Sequence, residues 1–232
     1  MTIDLRPTET GSTRTVERAL ALLSEVCDHE AITLTEAARG TDLPTSTALR
    51  LLRTMESLGF VDRAGNGSYA AGPRLLQLGA GALGRSTLVR LAEPALARVV
   101  ALTGESVYLF VQGPHDSAVN LALAEGTYSV RHTSWAGRSV PRAGLAVGRA
   151  LDGEVPAAGF VSGRDQLEPD VTAIAAPIWR IGGVAGALSI LGPTYRLDED
   201  RVAHYGRILV AETSALSRAF AVPTPLRQET GP

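Results

Sequence analysis

The sequence predicts an α+β protein with an N-terminal winged helix-turn-helix, a helical linker and a C-terminal domain with an antiparallel sheet. Up to about residue 103, apolar residues recur mainly with the helical period of 3.6, interrupted by one hairpin. Beyond that point they form short β-prone runs separated by Gly-Pro or Glu-Gly, before a last helical stretch. The three parts are expected at residues 13–72, 73–91 and 92–221.

Composition is that of an ordinary globular protein, with 45% hydrophobic and 20% charged residues in 232. No apolar run approaches the roughly 20 residues that a membrane span needs, and the N-terminus lacks the pattern of a signal peptide. The single cysteine, Cys27, excludes an internal disulfide framework and fits a reducing compartment. We therefore expect a cytoplasmic protein that makes no use of a membrane.

The first two helices are indicated by apolar spacing and by end signals. The first ends near His29, and Cys27, beside its apolar positions, is expected in the core. Thr33 and Glu36 have the spacing of a capping box, which predicts the start of a second helix. Gly40 is suited to ending that helix after about two turns.

The third helix combines an apolar stripe with an opposite polar face. Pro44 stands where a first helical residue is tolerated, and Gly59 follows the last turn. With the helical period, one side of the helix carries Ala48, Leu51, Leu52, Met55 and Leu58. The opposite side carries Ser46, Arg50, Arg53 and Ser57, with Thr45 and Leu49 beside them. We expect the first face to be buried and the second to be exposed.

A β-hairpin follows this helix. Residues 60–63 and 68–70 read as strands, and the Asn66-Gly67 pair between them is a strong turn signal. Helix, short capped helix, turn, helix and hairpin is the order of a winged helix-turn-helix.

The remaining elements are predicted from shorter signals. Residues 74–103 look helical, with a weak point at Gly79–Gly84. The predicted strands are Ser106–Gln112, Ala118–Ala124, Thr127–Thr133, Ala158–Val161, Val171–Ile178 and Val184–Leu191. Helices are expected at Leu145–Leu151 and Leu197–Phe220, and the segment after Ala221 is expected to be disordered.

An ordered set of segments resembles the IclR-type bacterial regulators. In the N-terminal half these are Val16–Leu20 (VERAL), Leu43–Phe60 (LPTSTALRLLRTMESLGF) and Gly72–Leu76 (GPRLL). In the C-terminal half they are Thr103–Val107 (TGESV), Gly148–Leu151 (GRAL), Ala173–Ile178 (AIAAPI) and Ala187–Pro193 (ALSILGP). The resemblance covers roughly residues 13–220 and implies a GAF-like, effector-binding C-terminal domain.

The resemblance implies a ligand-responsive regulator that binds double-stranded operator DNA as a dimer or tetramer. The residues expected to contact DNA are Thr45, Ser46, Thr47, Arg50 and Arg53 on the third helix, and Arg63, Asn66, Ser68 and Tyr69 on the hairpin. The residues expected to line the effector pocket are His132, Ser134, Trp135, Val140, Ala146, Val147, Val171, Ala173, Ser189 and Leu191. Small apolar residues beside an imidazole and hydroxyls suit a small organic acid, including an aromatic one, with Arg131, Arg142 and Arg164 as nearby cations.

The chain departs from the family pattern at two places. Thr45 and Leu49 stand where many members carry a basic residue and a His or Tyr, so the base preference is not carried over. The stretch between Leu151 and Phe160 lacks room for a helical pair found in many relatives, which leaves the cover of the pocket open.

Other functions are weighed against this one. Residues 1–72 carry seven Arg against ten Asp and Glu, which by charge alone argues mildly against DNA. The rival is an enzyme, or a sensor whose helical module binds protein. Gly79–Gly84 matches a dinucleotide fingerprint but follows a helical run rather than a strand. No catalytic constellation, metal-ligand spacing or cofactor motif is predicted.

Overall fold

The computed structural model describes residues 13–132 and 139–221. These residues separate into two compact units, one before and one after the Arg85–Ser86 peptide bond. The predicted start of the C-terminal domain, residue 92, falls inside a helix of the second unit. None of the described helices combines the length and the apolar composition needed to cross a membrane.

The first unit is a three-helix core with a hairpin and one further helix. Its elements are α1 (Arg14–Cys27), α2 (Leu34–Gly40), α3 (Thr45–Ser57), β1 (Val61–Arg63), β2 (Tyr69–Ala71) and α4 (Pro73–Arg85). Strands β1 and β2 pair antiparallel. The predicted order of elements is confirmed.

Local chemistry sets the ends of these helices. The capping box is confirmed, because the Thr33 hydroxyl accepts the Glu36 N–H while the Glu36 carboxylate accepts the Thr33 N–H. Pro44 is the residue before α3 rather than its first residue. Gly59 ends α3 with a φ of +73°, a left-handed conformation that costs glycine little.

Burial in the first unit agrees with the predicted stripe of α3 except at one residue. The side chains of Ala48, Leu51, Leu52 and Met55 are buried, but Leu58 is 62% exposed. Cys27 is also exposed, so its placement in the core was wrong. In α1 the buried residues are Ala21, Leu22 and Val26, because α1 turns this side toward the core.

The predicted weak point in the linker is also corrected. Helix α4 continues through Gly79–Gly84, and the chain leaves the helical conformation at Ser86 instead. The Ser86 hydroxyl accepts the Val89 N–H and caps α5 (Thr87–Thr103). The glycine-rich segment therefore lies within a helix, without the strand and turn of a dinucleotide site.

The second unit is a six-stranded antiparallel sheet with helices on both faces. Its strands are β3 (Ser106–Gln112), β4 (Ser117–Ala124), β5 (Ser139–Pro141), β6 (Val161–Arg164), β7 (Val171–Arg180) and β8 (Gly183–Pro193). Its other helices are α6 (Ala146–Leu151) and α7 (Glu199–Ala221). The strand order is β5-β4-β3-β8-β7-β6.

Alternation along the strands divides the core into two layers. Val107 and Leu109 of β3 pack with α5 and α7, whereas Tyr108 and Phe110 point to the opposite face, toward α6. Residues 175, 187 and 191 of β7 and β8 lie on that same face. The side of the sheet covered by α6 is therefore lined by small and aromatic side chains.

Two predicted strands differ in the structure. Residues 127–130 form bends rather than a strand, and Thr133 lies outside the described residues. Residues 158–160 precede β6, which runs from Val161 to Arg164. The short edge strand β5 was not predicted, because three residues carry too little alternation to be recognised.

Candidate nucleic-acid interface and ligand cavity

The exposed face of α3 carries the predicted DNA contacts. Thr45, Ser46, Arg50 and Arg53 are exposed and Thr47 is partly buried. Helix α3 has no acidic residue before Glu56, so this face is locally basic although the N-terminal part of the chain is acidic overall. Local charge, rather than net charge, decides what a helix face attracts at the Debye distance of about 8–10 Å.

The hairpin presents two of its four predicted contacts to solvent. Arg63 and Asn66 are exposed. Tyr69 is only 1% exposed and packs in the core, and its backbone bonds to Ile32. The Ser68 side chain is buried and donates to the Asn66 carboxamide oxygen at 2.7 Å. The Ser68 and Tyr69 side chains both stabilise the hairpin, so Arg63 and Asn66 are the predicted hairpin contacts with exposed side chains, and the DNA contact of all four stays a prediction.

A cavity lies on the α6 side of the sheet in the second unit. It contains about 450 Å³ of empty space, including its open mouth. Strands β3, β5, β6, β7 and β8, the start of α6 and the loop before β7 all contribute to its lining, which is Phe110, Val140, Leu145, Ala146, Val147, Gly163, Gln166, Leu167, Glu168, Val171, Ala173, Ser189 and Leu191.

Seven of the ten predicted pocket residues lie together on this lining: Val140, Ala146, Val147, Val171, Ala173, Ser189 and Leu191. Ser134 and Trp135 lie outside the described residues. The sequence resemblance missed the loop from Gln166 to Glu168, which carries no regular pattern. The Gln166 carboxamide oxygen accepts the Ala146 N–H at 2.9 Å and ties this loop to α6.

His132 is buried beside the cavity rather than on its lining. Its Nδ1 lies 2.6 Å from the Tyr108 hydroxyl, and its Nε2 lies 3.5 Å from a carboxylate oxygen of Glu168, which does line the cavity. Burial raises the pKa of Tyr108 to about 12, so the phenol stays protonated at neutral pH. The His132 imidazole is therefore connected to the lining through its contact with Glu168.

The three predicted cations do not line the cavity. Arg131 pairs with Glu125, and Arg142 pairs with Asp116 and Asp152. Arg164 donates to the backbone carbonyl of Leu197. Glu168 is thus the ionisable residue of the described lining, and a ligand carboxylate would be repelled from that end.

A basic helix face on a winged helix-turn-helix, together with a cavity in an α+β domain, is the organisation of a ligand-responsive DNA-binding regulator. A sequence model of the IclR helix-turn-helix domain matches residues 15–65. A second, of the bacterial transcriptional regulator IclR C-terminal domain, matches residues 153–218. The chain belongs to the IclR family of bacterial transcriptional regulators.

Curated transcriptional regulators match this chain along most of their length. The HTH-type transcriptional regulator BhcR of Paracoccus denitrificans is 27% identical, with 92% of this chain and 89% of that protein covered. The HTH-type transcriptional regulator KdgR of Dickeya chrysanthemi is 28% identical, with 89% and 79% covered.

Solved structures show the same fold. The IclR transcriptional regulator of Alicyclobacillus acidocaldarius has a TM-score of 0.77 at 23% identity, with 90% of this chain and 99% of that one covered. An IclR homologue of Microbacterium hydrocarbonoxydans complexed with 4-hydroxybenzoate has a TM-score of 0.71 at 23% identity, with 88% and 99% covered.

Proposed function

We propose that this regulator reads its operator with the exposed face of α3 and releases or engages it according to the binding of a small aromatic acid in the cavity. It acts as a dimer or tetramer in the cytoplasm and has no enzymatic activity. Residues 13–72 bind DNA, and the second unit binds the effector. The observation that carries the proposal is the cavity on the α6 face, lined by seven residues that the family resemblance selects.

The reading of DNA rests on the position of α3 after the short helix α2. In a helix-turn-helix the second helix enters the major groove with its N-terminal turns. Arg50 lies within those turns, is exposed and faces away from the buried stripe. An arginine there suits a guanine edge or a phosphate, and Thr45 and Ser46 suit phosphates and base edges. Arg63 and Asn66 on the hairpin suit the sugar-phosphate backbone.

Arg50→Ala tests this assignment in a gel-shift assay with the DNA upstream of the regulator's own gene. We expect specific affinity to fall about tenfold or more, because a base contact contributes about 1–3 kcal/mol. Arg207→Ala, which removes an exposed arginine from α7 of the second unit, is the charge-matched control and should leave binding unchanged. Equal affinity of wild type and Arg50→Ala at physiological salt would contradict the assignment of α3 as the reading helix.

The effector class follows from the lining of the cavity. Most of the lining is apolar, which suits a ring, and Ser189 offers a hydroxyl within it. Because Glu168 is acidic, a hydroxyl or another donor on the ligand suits its end of the cavity, and the acid group suits the opposite end. The relative crystallised with 4-hydroxybenzoate is consistent with such a ligand.

A thermal-shift and calorimetry panel of benzoate-like acids tests the effector class. We expect 4-hydroxybenzoate to bind more tightly than benzoate, and Ser189→Ala to weaken both. Trp179→Ala, at a partly exposed position of β7 away from the cavity lining, is the control and should bind normally. If no acid of the panel binds at millimolar concentration, aromatic acids are ruled out as the effector.

Self-association is supported by apolar side chains on the surface of the first unit. Leu20 of α1, and Leu76, Leu78 and Leu83 of α4, are each at least 40% exposed. Helix α4 has no buried residue, so its leucines are available to a second copy of the chain, and two DNA-binding modules in one assembly would read paired half-sites. Analytical ultracentrifugation should show a dimer or tetramer, and a monomer at micromolar concentration would contradict it.

A further inference from the structure

The buried carboxamide of Asn120 stands out among the polar groups of the described residues. The side chain is 1% exposed, and among the described residues no hydrogen bond reaches its Oδ1 or its Nδ2. A buried polar group left unpaired destabilises a protein by about 1–3 kcal/mol, so most such groups are paired. A leucine at this position of β4 would avoid that destabilisation, which indicates that the carboxamide serves another purpose.

The sheet places this carboxamide on the face of the cavity. Asn120 stands two residues after Ala118, whose side chain packs on the α6 face, so both point the same way. Asn120 is also the cross-strand partner of Phe110, which lines the cavity. Directly opposed side chains on one face have Cβ atoms about 5 Å apart. The Asn120 side chain is therefore a neighbour of Phe110, which lines the cavity, without being on the lining itself.

Its end of the cavity is the one away from Glu168. Phe110 pairs with Ala187 of β8, whereas Glu168 precedes Val171, which pairs with Pro193 at the other end of β8. The Glu168 carboxylate lies 3.5 Å from the His132 imidazole, which contacts the Tyr108 hydroxyl, and the centre of the Tyr108 ring lies 6.1 Å from that of Phe110. Glu168 is thus separated from the Phe110 and Asn120 side of the apolar face by the His132 and Tyr108 side chains.

We propose that Asn120 is a specificity-determining residue that hydrogen-bonds the far polar group of the effector once the ligand turns Phe110 aside. A carboxamide has a donor and an acceptor side by side, so it is satisfied by a ligand group of the same kind: an undissociated carboxyl or a carboxamide. A carboxylate satisfies only the N–H side. This inference rests on the proposed effector site and narrows the effector to a ring with a donor at one end and such a group at the other.

Asn66 and Asn120 are the two asparagines of the chain, which gives a direct test. In protein labelled with ¹⁵N-asparagine, two side-chain NH₂ signals are expected, and Asn66→Asp on the exposed turn assigns them. Titration with 4-hydroxybenzamide and 4-hydroxybenzoate should shift the Asn120 signal and leave the Asn66 signal in place. The probe that shifts the Asn120 signal further identifies the group that Asn120 binds as a carboxamide or as a carboxyl.

Asn120→Leu supplies the second measurement. We expect it to raise the melting temperature of the ligand-free protein and to weaken binding of the probes about tenfold. Thr172→Val, a buried polar-to-apolar change on the opposite face of the same sheet, should leave probe binding unchanged.

The outcomes separate this inference from the proposed function. If a probe binds and Ser189→Ala weakens it, while the Asn120 signal and the affinity of Asn120→Leu do not change, the proposed function stands and the role of Asn120 is overturned. If neither probe binds wild type at millimolar concentration, the effector class and the role of Asn120 both fail, and the DNA-reading assignment is decided by the gel-shift assay alone.

Discussion

The Glu105–Arg196 ion pair offers a quantitative prediction about the segment that carries His132. Glu105 is fully buried and accepts two hydrogen bonds from the Arg196 guanidinium, at 2.6 and 2.9 Å. The guanidinium also stacks 4.2 Å from the centre of the Tyr128 ring and donates to the Val130 carbonyl. One charge pair therefore holds residues 128–130 against the end of the sheet, and Glu105→Gln removes the negative half of that pair.

The expected loss follows from the burial of both partners. Removing one member of a buried ion pair typically costs about 3–5 kcal/mol, because the remaining charge is left uncompensated. The Arg196 side chain is 13% exposed and keeps its aromatic contact in the variant. The loss in free energy of unfolding for Glu105→Gln is therefore expected near the lower end of this range, at about 3 kcal/mol. In a unit of this size that corresponds to a fall in melting temperature of roughly 6–12 °C.

Calorimetric melting of the full chain is the assay, with Glu212→Gln as the matched control. Glu212 also accepts a two-pronged contact, from Arg98, but the Arg98 side chain is 54% exposed, so water and salt screen the pair. Glu212→Gln should therefore lower the free energy of unfolding by less than about 1 kcal/mol. The reasoning is refuted if both variants melt at the same temperature. Probe affinity should also fall in Glu105→Gln, since Ser106 holds the His132 carbonyl beside this pair.

Two further predictions concern the second unit. Burial raises the pKa of Tyr108 to about 12, above its value of about 10 in the unfolded chain, so the stabilisation is complete below pH 10 and is lost as the pH rises through 12. Urea unfolding should show a smaller loss of stability between pH 10 and pH 12 for Tyr108→Phe than for wild type, and parallel losses would contradict the assignment. A fragment of residues 86–221 should melt cooperatively, whereas one of residues 92–221 should be less stable by about 2–4 kcal/mol, because it lacks the Ser86 cap and the buried Val89. Equal melting of the two fragments would show that the first turn of α5 contributes nothing.

Local signals in the sequence were sufficient for the helix-turn-helix. The Thr33–Glu36 capping box, the stripe of α3 and the Asn66–Gly67 turn each depend on residues within a few positions of one another. Because such interactions depend only on residues close in sequence, the order of elements and the exposed face of α3 could be predicted. The burial of Tyr69 was not, because its partners lie on α1 and in the Ile32 bridge, distant in sequence.

The cavity shows what the sequence alone could not predict. Resemblance selected the residues of β7, β8 and α6 that line it, but the sequence by itself did not place Glu168 on the lining or remove Arg142 and Arg164 from it. An arginine that is close in sequence to the residues of a pocket pairs with the acid or carbonyl that lies closest to it in the folded chain. Periodicity and end signals are local, so the sequence determined the order of the elements, and the resemblance to a known family determined the class of protein. The tertiary structure decided the charge of the cavity lining and left Asn120 without a hydrogen-bond partner among the described residues, because both depend on which strands become neighbours in the sheet.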